Sequence, residues 1–438
     1  MNQTPGAEIV IVALAIAVAV EIFPLLIYQS SFGWFHPLIF TTLYSLVTLV
    51  RSASMYSWGL QEHVGLPGYS VDELTWLVTY GLLLGAFGQI AYYAGFFALK
   101  QFRIPQLEFF PARSIGLKVF SVVLITFGIF LVYMQSQGGL QTYLLFLARG
   151  RSNLINEGEL SGEWIVLIRF ATLACLLWLS SDRNAVRHPL FWISVIIALS
   201  MQFLVSGSRA NVIVIIVIGL FIWMLRDQKI FTARIFVGIA IGLFLLGQLG
   251  SFRNSLWFGV VDWNVLTDIT GIDPFSRSID ELQDRSGSYS PLYPILARVP
   301  NEIDLLYGKS YLTLLATPIP RAMWPEKPRS TGAEVGEIFL NSPSPSPPGV
   351  IGEAYWNFHI PGVFVAFLLF GIFHKWLTLF YTRYAFEPAM IVFYAVSLFV
   401  FFPDVLSIVT WLQYVIGVVL LLVFFGMVRR SGRTPMSQ

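Results

Sequence analysis

The sequence is short of charge. Of its 438 residues only 12% are Asp, Glu, Lys or Arg, about half of the roughly 25% found in a soluble globular chain. That deficit excludes a water-soluble protein, a disordered chain and a nucleic-acid binder. The net charge of +2 is too small to point to a polyanionic partner. Cysteine is nearly absent: the one residue, Cys175, lies in an apolar run. A disulfide framework, a Cys-rich metal site and an iron–sulfur cluster are thereby excluded. Histidine occurs five times, at 36, 63, 188, 359 and 374, without metal-ligand spacing. No metal and no cofactor are expected. What the chain does have is apolar bulk, 56% hydrophobic and 16% aromatic. The fold class that remains is an all-α polytopic membrane protein.

A bilayer-spanning helix needs about 20 apolar residues. About eleven such stretches occur, near 7–28, 36–50, 74–99, 115–135, 164–180, 189–205, 211–225, 235–249, 361–380, 388–402 and 406–428. Runs this continuous are helices, because a barrel strand alternates at every second residue. The shortest is 36–50. Residues 1–8 carry no positive charge, so the first span is expected to stay rather than be cleaved as a signal.

Lys and Arg in short loops set the sidedness. One set of loops carries Lys100, Arg103, Arg113, Lys118, Arg183, Arg187, Arg226, Lys229, Arg234, Lys375, Arg383, Arg429, Arg430 and Arg433. The opposite short loops hold only Arg51, Arg149, Arg151 and Arg209. The first set is therefore expected inside, giving an N-out/C-in chain. Residues 1–249 form spans one to eight, 250–360 a large outer loop, and 361–438 the last three spans with a cytoplasmic tail. A loop that long is a functional or structured insertion. A short polar helix is expected at 280–285, helical spacing runs through 291–307, and 311–324 suits the membrane surface. The Ser-Pro repeat of 342–348 is stiff and extended. No internal repeat supports an inverted-repeat transporter.

The outer loop gathers twelve of the 25 acidic residues and eight of the 27 basic ones. Arg at outer loops runs against the charge bias, and its planar fork matches phosphate oxygens two at a time. Arg149 and Arg151 follow an amphipathic stretch. Arg209 sits in a Ser-Gly-Ser-Arg turn, whose backbone N–H groups add anion contacts. Arg321 lies in Pro-Ile-Pro-Arg-Ala-Met-Trp-Pro. These four are the candidate pyrophosphate binders; head-group snorkelling explains the same positions. Gly308-Lys309-Ser310 imitates the end of a P-loop, but Ile303 replaces the first glycine and no strand precedes it. Glu21, inside the first span, is a functional suspect by position, and Arg169 of the fifth span is a candidate partner.

At Gly308 a pattern begins. Gly308-Lys-Ser-Tyr and Pro318-Ile-Pro-Arg-Ala-Met-Trp-Pro-Glu-Lys-Pro328 lead to Pro348-Gly-Val-Ile-Gly-Glu-Ala-Tyr-Trp-Asn-Phe358 and Gly362. This resembles the signature region of the Wzy-type oligosaccharide repeat-unit polymerases, which build O-antigen and exopolysaccharide in bacteria. The motif likeness covers roughly 60 residues. His359 departs from it, standing where the pattern Asn-Phe-Gly has glycine. The resemblance implies a glycosyltransferase of the bacterial plasma membrane. A sugar hydroxyl of one lipid-linked repeat unit attacks the anomeric carbon of a glycan on undecaprenyl pyrophosphate, which leaves. Partners would be undecaprenyl-pyrophosphate-linked glycans, the bilayer, a chain-length regulator and a flippase. Cations near lipid would hold the departing anion. Glu353 is the first candidate for general base, His359 the second and Asp304 the third. Tyr311, Trp324, Tyr355 and Trp356 are candidates for stacking on sugars, as they are for an interfacial aromatic belt. The rivals are an O-antigen ligase, and a flippase or transporter of the lipid-linked unit.

Overall fold

The computed structural model describes residues 7–28, 35–58, 65–98, 104, 106–136, 138–139, 162–206, 209–227, 290–317, 319, 323–324, 326–342 and 345–430. The eighth predicted span and the 280–285 helix lie outside these residues. So do Arg149, Arg151 and Arg321.

The described chain is mostly helical: α1 Ala7–Ile27, α2 Pro37–Trp58, α3 Val71–Ala98, α4 Ile115–Ser136, α5 Gly162–Ser181, α6 Pro189–Ser206, α7 Arg209–Asp227, α8 Leu292–Arg298, α9 Lys309–Ala316, α10 Thr331–Leu340, α11 Gly349–Arg383, α12 Pro388–Val400 and α13 Val405–Phe425. Ten predicted spans fall on these helices. Five helical stretches, Glu8–Leu26, Val71–Ala98, Ile115–Ser136, Gly349–Arg383 and Val405–Phe425, are each long and apolar enough to cross a bilayer. They leave large apolar side chains outside, such as Leu26 at 76% and Val423 at 64% exposure. Such surfaces belong against lipid, and the chain is a multi-pass membrane protein.

The weak second span is longer than its apolar run. α2 continues through Arg51 to Trp58, and 22 residues of helix span about 33 Å. Beside the helices lie two short strands, β1 Leu107–Phe109 and β2 Val428–Arg430. They pair antiparallel with Glu108 opposite Arg429, and the Leu107 N–H donates to the Tyr384 hydroxyl at 3.0 Å.

Two compact units divide the chain. The first contains residues 1–102, 280–379 and 400–409. In it α1, α2 and α3 pack on one another, and α8 packs on α3 and α10. Its core holds Val78, Ile295, Val335, Ala354 and Val363, all fully buried. The described part of the 250–360 loop is thus folded onto the helices by its own apolar residues. α10 begins at Ser330, whose hydroxyl accepts from the Ala333 N–H at 3.3 Å. It ends at Asn341, which turns the chain with a φ of 47°. In the second unit α4, α5 and α6 pack together, and α7 lies on α5 and α6. There Arg169 donates to Gln413, and its guanidinium lies 5.0 Å from the Tyr414 ring centre.

Candidate functional site

α11 is two limbs joined at a break. Phe358 (φ −142°, ψ 22°) and His359 (φ 57°, ψ −146°) leave helical geometry. Pro361 explains the place. It has no N–H to give the Asn357 carbonyl, and its ring crowds that carbonyl. The chain then turns so tightly that a Cβ on Gly362 would fall 2.1 Å from the Ala354 oxygen.

A break inside a buried helix strands carbonyls. Residues 306–308 of the long loop supply their donors. Leu306 N–H donates to the Trp356 oxygen at 3.0 Å, and Tyr307 N–H to the Asn357 oxygen at 3.1 Å. The Asn357 side chain, fully buried, completes the join. Its Oδ1 accepts from the Gly308 N–H at 3.0 Å. Its Nδ2 donates to Ser310 Oγ at 2.7 Å and to the Glu353 carbonyl at 2.8 Å. Tyr307 takes a φ of 47° to make this turn. Two of the segments noted in the sequence, 308–311 and 348–358, are therefore bonded directly to each other.

Glu353 is sealed, at 1% exposure. Its Oε2 accepts from the Val405 N–H at 2.9 Å, while Oε1 is buried without a hydrogen bond. Ser310 and Thr331 hydroxyls sit beside the carboxyl group. Asp404 caps the same helix, accepting from the Ser407 N–H at 2.9 Å. Two carboxylates thus share the N-terminus of α13, where unpaired N–H groups and the helix dipole favour negative charge. Burial pushes the Asp404 carboxyl above its ordinary range, against the pull of the Ser407 N–H. Tyr311 lies close to both acids; burial first, then their charges, hold its phenol above its usual range.

His359 is only half buried, with Nε2 2.7 Å from the Tyr355 hydroxyl. Tyr355 is 3% exposed, and its hydroxyl also accepts from Tyr80 at 3.5 Å. Trp356 is 1% exposed; its Nε1 donates to the Asp304 carbonyl at 3.2 Å and its ring meets Phe339 edge-on at 4.9 Å. Both rings are committed to the core, and neither offers a face to a sugar. Trp324 does. It lines an open hollow of about 300 Å³ with Lys309, Leu312, Leu315 and Pro328. Lys327 closes one end of α9 by donating to the Thr317 carbonyl at 2.9 Å.

Arg209 is the first residue of α7. Its fellow candidates Arg149, Arg151 and Arg321 belong to undescribed segments. Asn357 and Asp404 were missed from the sequence as site residues. The signal for Asn357 was present: a proline four positions later frees its carbonyl and demands an outside donor. Among the described residues, no group of three or more His, Cys, Asp or Glu side chains is placed to hold a metal ion. No family model, curated protein or solved structure matches the chain.

Proposed function

We propose that this protein polymerises undecaprenyl-pyrophosphate-linked oligosaccharide repeat units on the outer face of a bacterial plasma membrane, through an N-out/C-in bundle of about eleven spans. The observation that supports it is the join between the Gly308 segment and the broken α11. Two of the stretches on which the resemblance rests lie about 40 residues apart in sequence, and Asn357 bonds one to the other. A bonded pair gives both stretches a reason to be kept together.

In this reading the imidazole of His359 takes the proton of the attacking sugar hydroxyl, because a base must reach its substrate. A neutral imidazole has a ring nitrogen free to accept that proton. Glu353, buried and bonded to α13, positions the limb that carries His359. The pyrophosphate leaves into the guanidinium groups of Arg149, Arg151, Arg209 and Arg321, whose forks neutralise charge as it builds. The sugar–pyrophosphate bond supplies the driving force, so no nucleotide is consumed. Trp324, beside its hollow, stacks on the glycan.

The test is elongation of verified lipid-linked repeat units by the purified, reconstituted protein. Longer lipid-linked chains are expected; single repeats that stay single overturn the proposal. The lipid-linked glycans of a deletion strain separate the rivals. Long chains that persist indicate a ligase, and units trapped on the cytoplasmic side indicate a flippase.

A further inference from the structure

The second unit carries a hollow that the proposed reaction does not use. Its volume is about 550 Å³, within the span of roughly 300–1,000 Å³ for small-ligand sites. Three segments line it: Ala112 and 114–117 at the start of α4, Trp178, Ser181 and Asp182 at the end of α5, and 188–190 at the start of α6.

These walls are tied in place. Trp178 is buried and packs against residue 116, where a Cβ on the glycine would fall 2.5 Å from the indole ring. The His188 ring stacks on the same indole, centre to centre 6.3 Å. The turn that brings His188 back is bonded along its length. Asn184 N–H donates to Asp182 Oδ1 at 2.8 Å, and Trp192 Nε1 donates to the Val186 carbonyl at 2.9 Å. From α7, Arg226 donates to the Asp182 carbonyl at 2.9 Å.

The rim is basic. Residues 112–118 and 178–190 hold four permanent cations, Arg113, Lys118, Arg183 and Arg187, against one carboxylate, Asp182. Lys118 donates to the Phe425 carbonyl at 3.1 Å. The three arginines are exposed, and each is next in sequence to a residue that lines the hollow. Asp182 Oδ2 stands 3.7 Å from His188 Nε2, too far for a hydrogen bond. The imidazole thus keeps a donor and the carboxylate an acceptor for a ligand.

The remaining wall is apolar and leads away along the helices. Leu117 and Leu190 line the hollow and are exposed. Leu124 lies two turns beyond Leu117 on the same face of α4, and Ile193 and Ile196 follow Leu190 on α6; all three are exposed. α4 is long and apolar enough to cross a bilayer. A basic pocket at the end of membrane helices, continued by apolar tracks, matches a molecule with an anionic head and acyl chains.

We propose that this hollow binds an anionic phosphodiester lipid, of the phosphatidylglycerol class, from the leaflet that borders this end of the unit. The phosphate accepts from His188 and from the guanidinium forks of Arg113 and Arg187. The headgroup hydroxyls donate to Asp182 Oδ2, which a choline headgroup, having no such donor, leaves bare. The acyl chains cover Leu117, Leu124, Leu190 and Ile193. A soluble anion would meet the cations and leave those side chains uncovered. The site holds in either orientation of the chain and is independent of the polymerase reading.

The experiment offers the full chain, purified in detergent, phosphatidylglycerol, phosphatidylethanolamine or phosphatidylcholine with the same acyl chains, and counts the retained lipid by native mass spectrometry. Phosphatidylglycerol is expected to be retained in preference to the other two. Arg113→Gln combined with Arg187→Gln, both at exposed positions, is expected to weaken its retention by roughly 10- to 30-fold. Ala112→Trp fills the hollow without changing a charge and is expected to abolish the preference; the arginine pair decides alone if that variant fails to fold. Equal retention of the three lipids overturns the proposal, as does a folded variant of either kind that holds phosphatidylglycerol as tightly as the native chain. Displacement of the retained lipid by millimolar inorganic phosphate would mark a site for soluble anions and overturns it too.

Discussion

His359 stands where a glycine would cost nothing. Its φ of 57° with ψ of −146° is glycine territory, and a side chain there costs roughly 1–3 kcal/mol. The Tyr355 bond offsets part of this. His359→Ala keeps the strain and loses the bond; His359→Gly loses the bond and releases the strain. The Gly variant is therefore expected to exceed the Ala variant in stability by about 1–3 kcal/mol, read by thermal unfolding in detergent. Both lose chain elongation, and a fully active Gly variant removes the imidazole from the chemistry. Asn357→Ala strips bonds from the Gly308 N–H, Ser310 and the Glu353 carbonyl at once. Unfolding is expected to become easier by at least about 2 kcal/mol. Asp404 carries a pH signature. Burial raises its carboxyl, so the folded chain holds that proton more tightly than the unfolded one. Stability from this group falls as pH climbs from the ordinary carboxylate range through the raised value. Asp404→Asn keeps a good cap and cannot ionise. It should match the native chain at acid pH and exceed it at neutral pH. A melting difference that stays constant across pH counts against this.

Elements were legible where one period of residues decided them. Ten of the eleven apolar runs lie on helices, because a long apolar run has few alternatives in structure. The start of α3 carries a capping box, with Ser70 N–H donating to Glu73 at 2.8 Å and Glu73 N–H donating back to the Ser70 hydroxyl at 3.3 Å. What was not legible depended on distant partners. The extension of α2 runs through Arg51 and three serines, which interrupt the apolar signal without interrupting the helix. Pro361 looked like the first residue of a span, yet a limb of helix precedes it because loop residues 306–308 satisfy the break. The two strands are three residues each, too short to show alternation. Trp356 and Tyr355 have the composition of an interfacial belt, and only packing shows that they are core. Glycine spacing gives the element-scale prediction. Gly371→Ala places a Cβ 2.0 Å from the Tyr92 backbone oxygen, a distance no rotation relieves, and α3 and α11 must part. A loss of about 3 kcal/mol or failure to fold is expected. Gly128→Ala is the control: nothing lies within 4 Å of its Cβ. Better helix propensity should leave it unchanged or up to about 1 kcal/mol more stable. Equal behaviour of the two variants in a melting assay would remove the close-approach argument.

At the scale of the whole chain, the described part of the long loop and the helices around it form one core in the first unit. Tyr293, Ile295 and Phe339 are buried together with Val78 and Val363. A loop folded in this way holds its ends at a fixed depth, which a site for a lipid-borne substrate requires. The polymerase reading puts that loop outside and the Arg183–Arg187 turn inside. The lone cysteine makes this easy to test. Cys175 is 5% exposed, and Cys175→Ala clears the background. Glu326→Cys and Arg183→Cys each then place one thiol at an exposed position. A membrane-impermeant maleimide added to intact cells is expected to label the Glu326→Cys protein at once and the Arg183→Cys protein only after the membrane is opened. The charge argument behind this order is simple: Lys and Arg cluster in the loops that never crossed the bilayer. Labelling in the reverse order would put the broken helix and its hollow on the side of the nucleotide sugars. The departing pyrophosphate would then have to be sought at a different face of the protein.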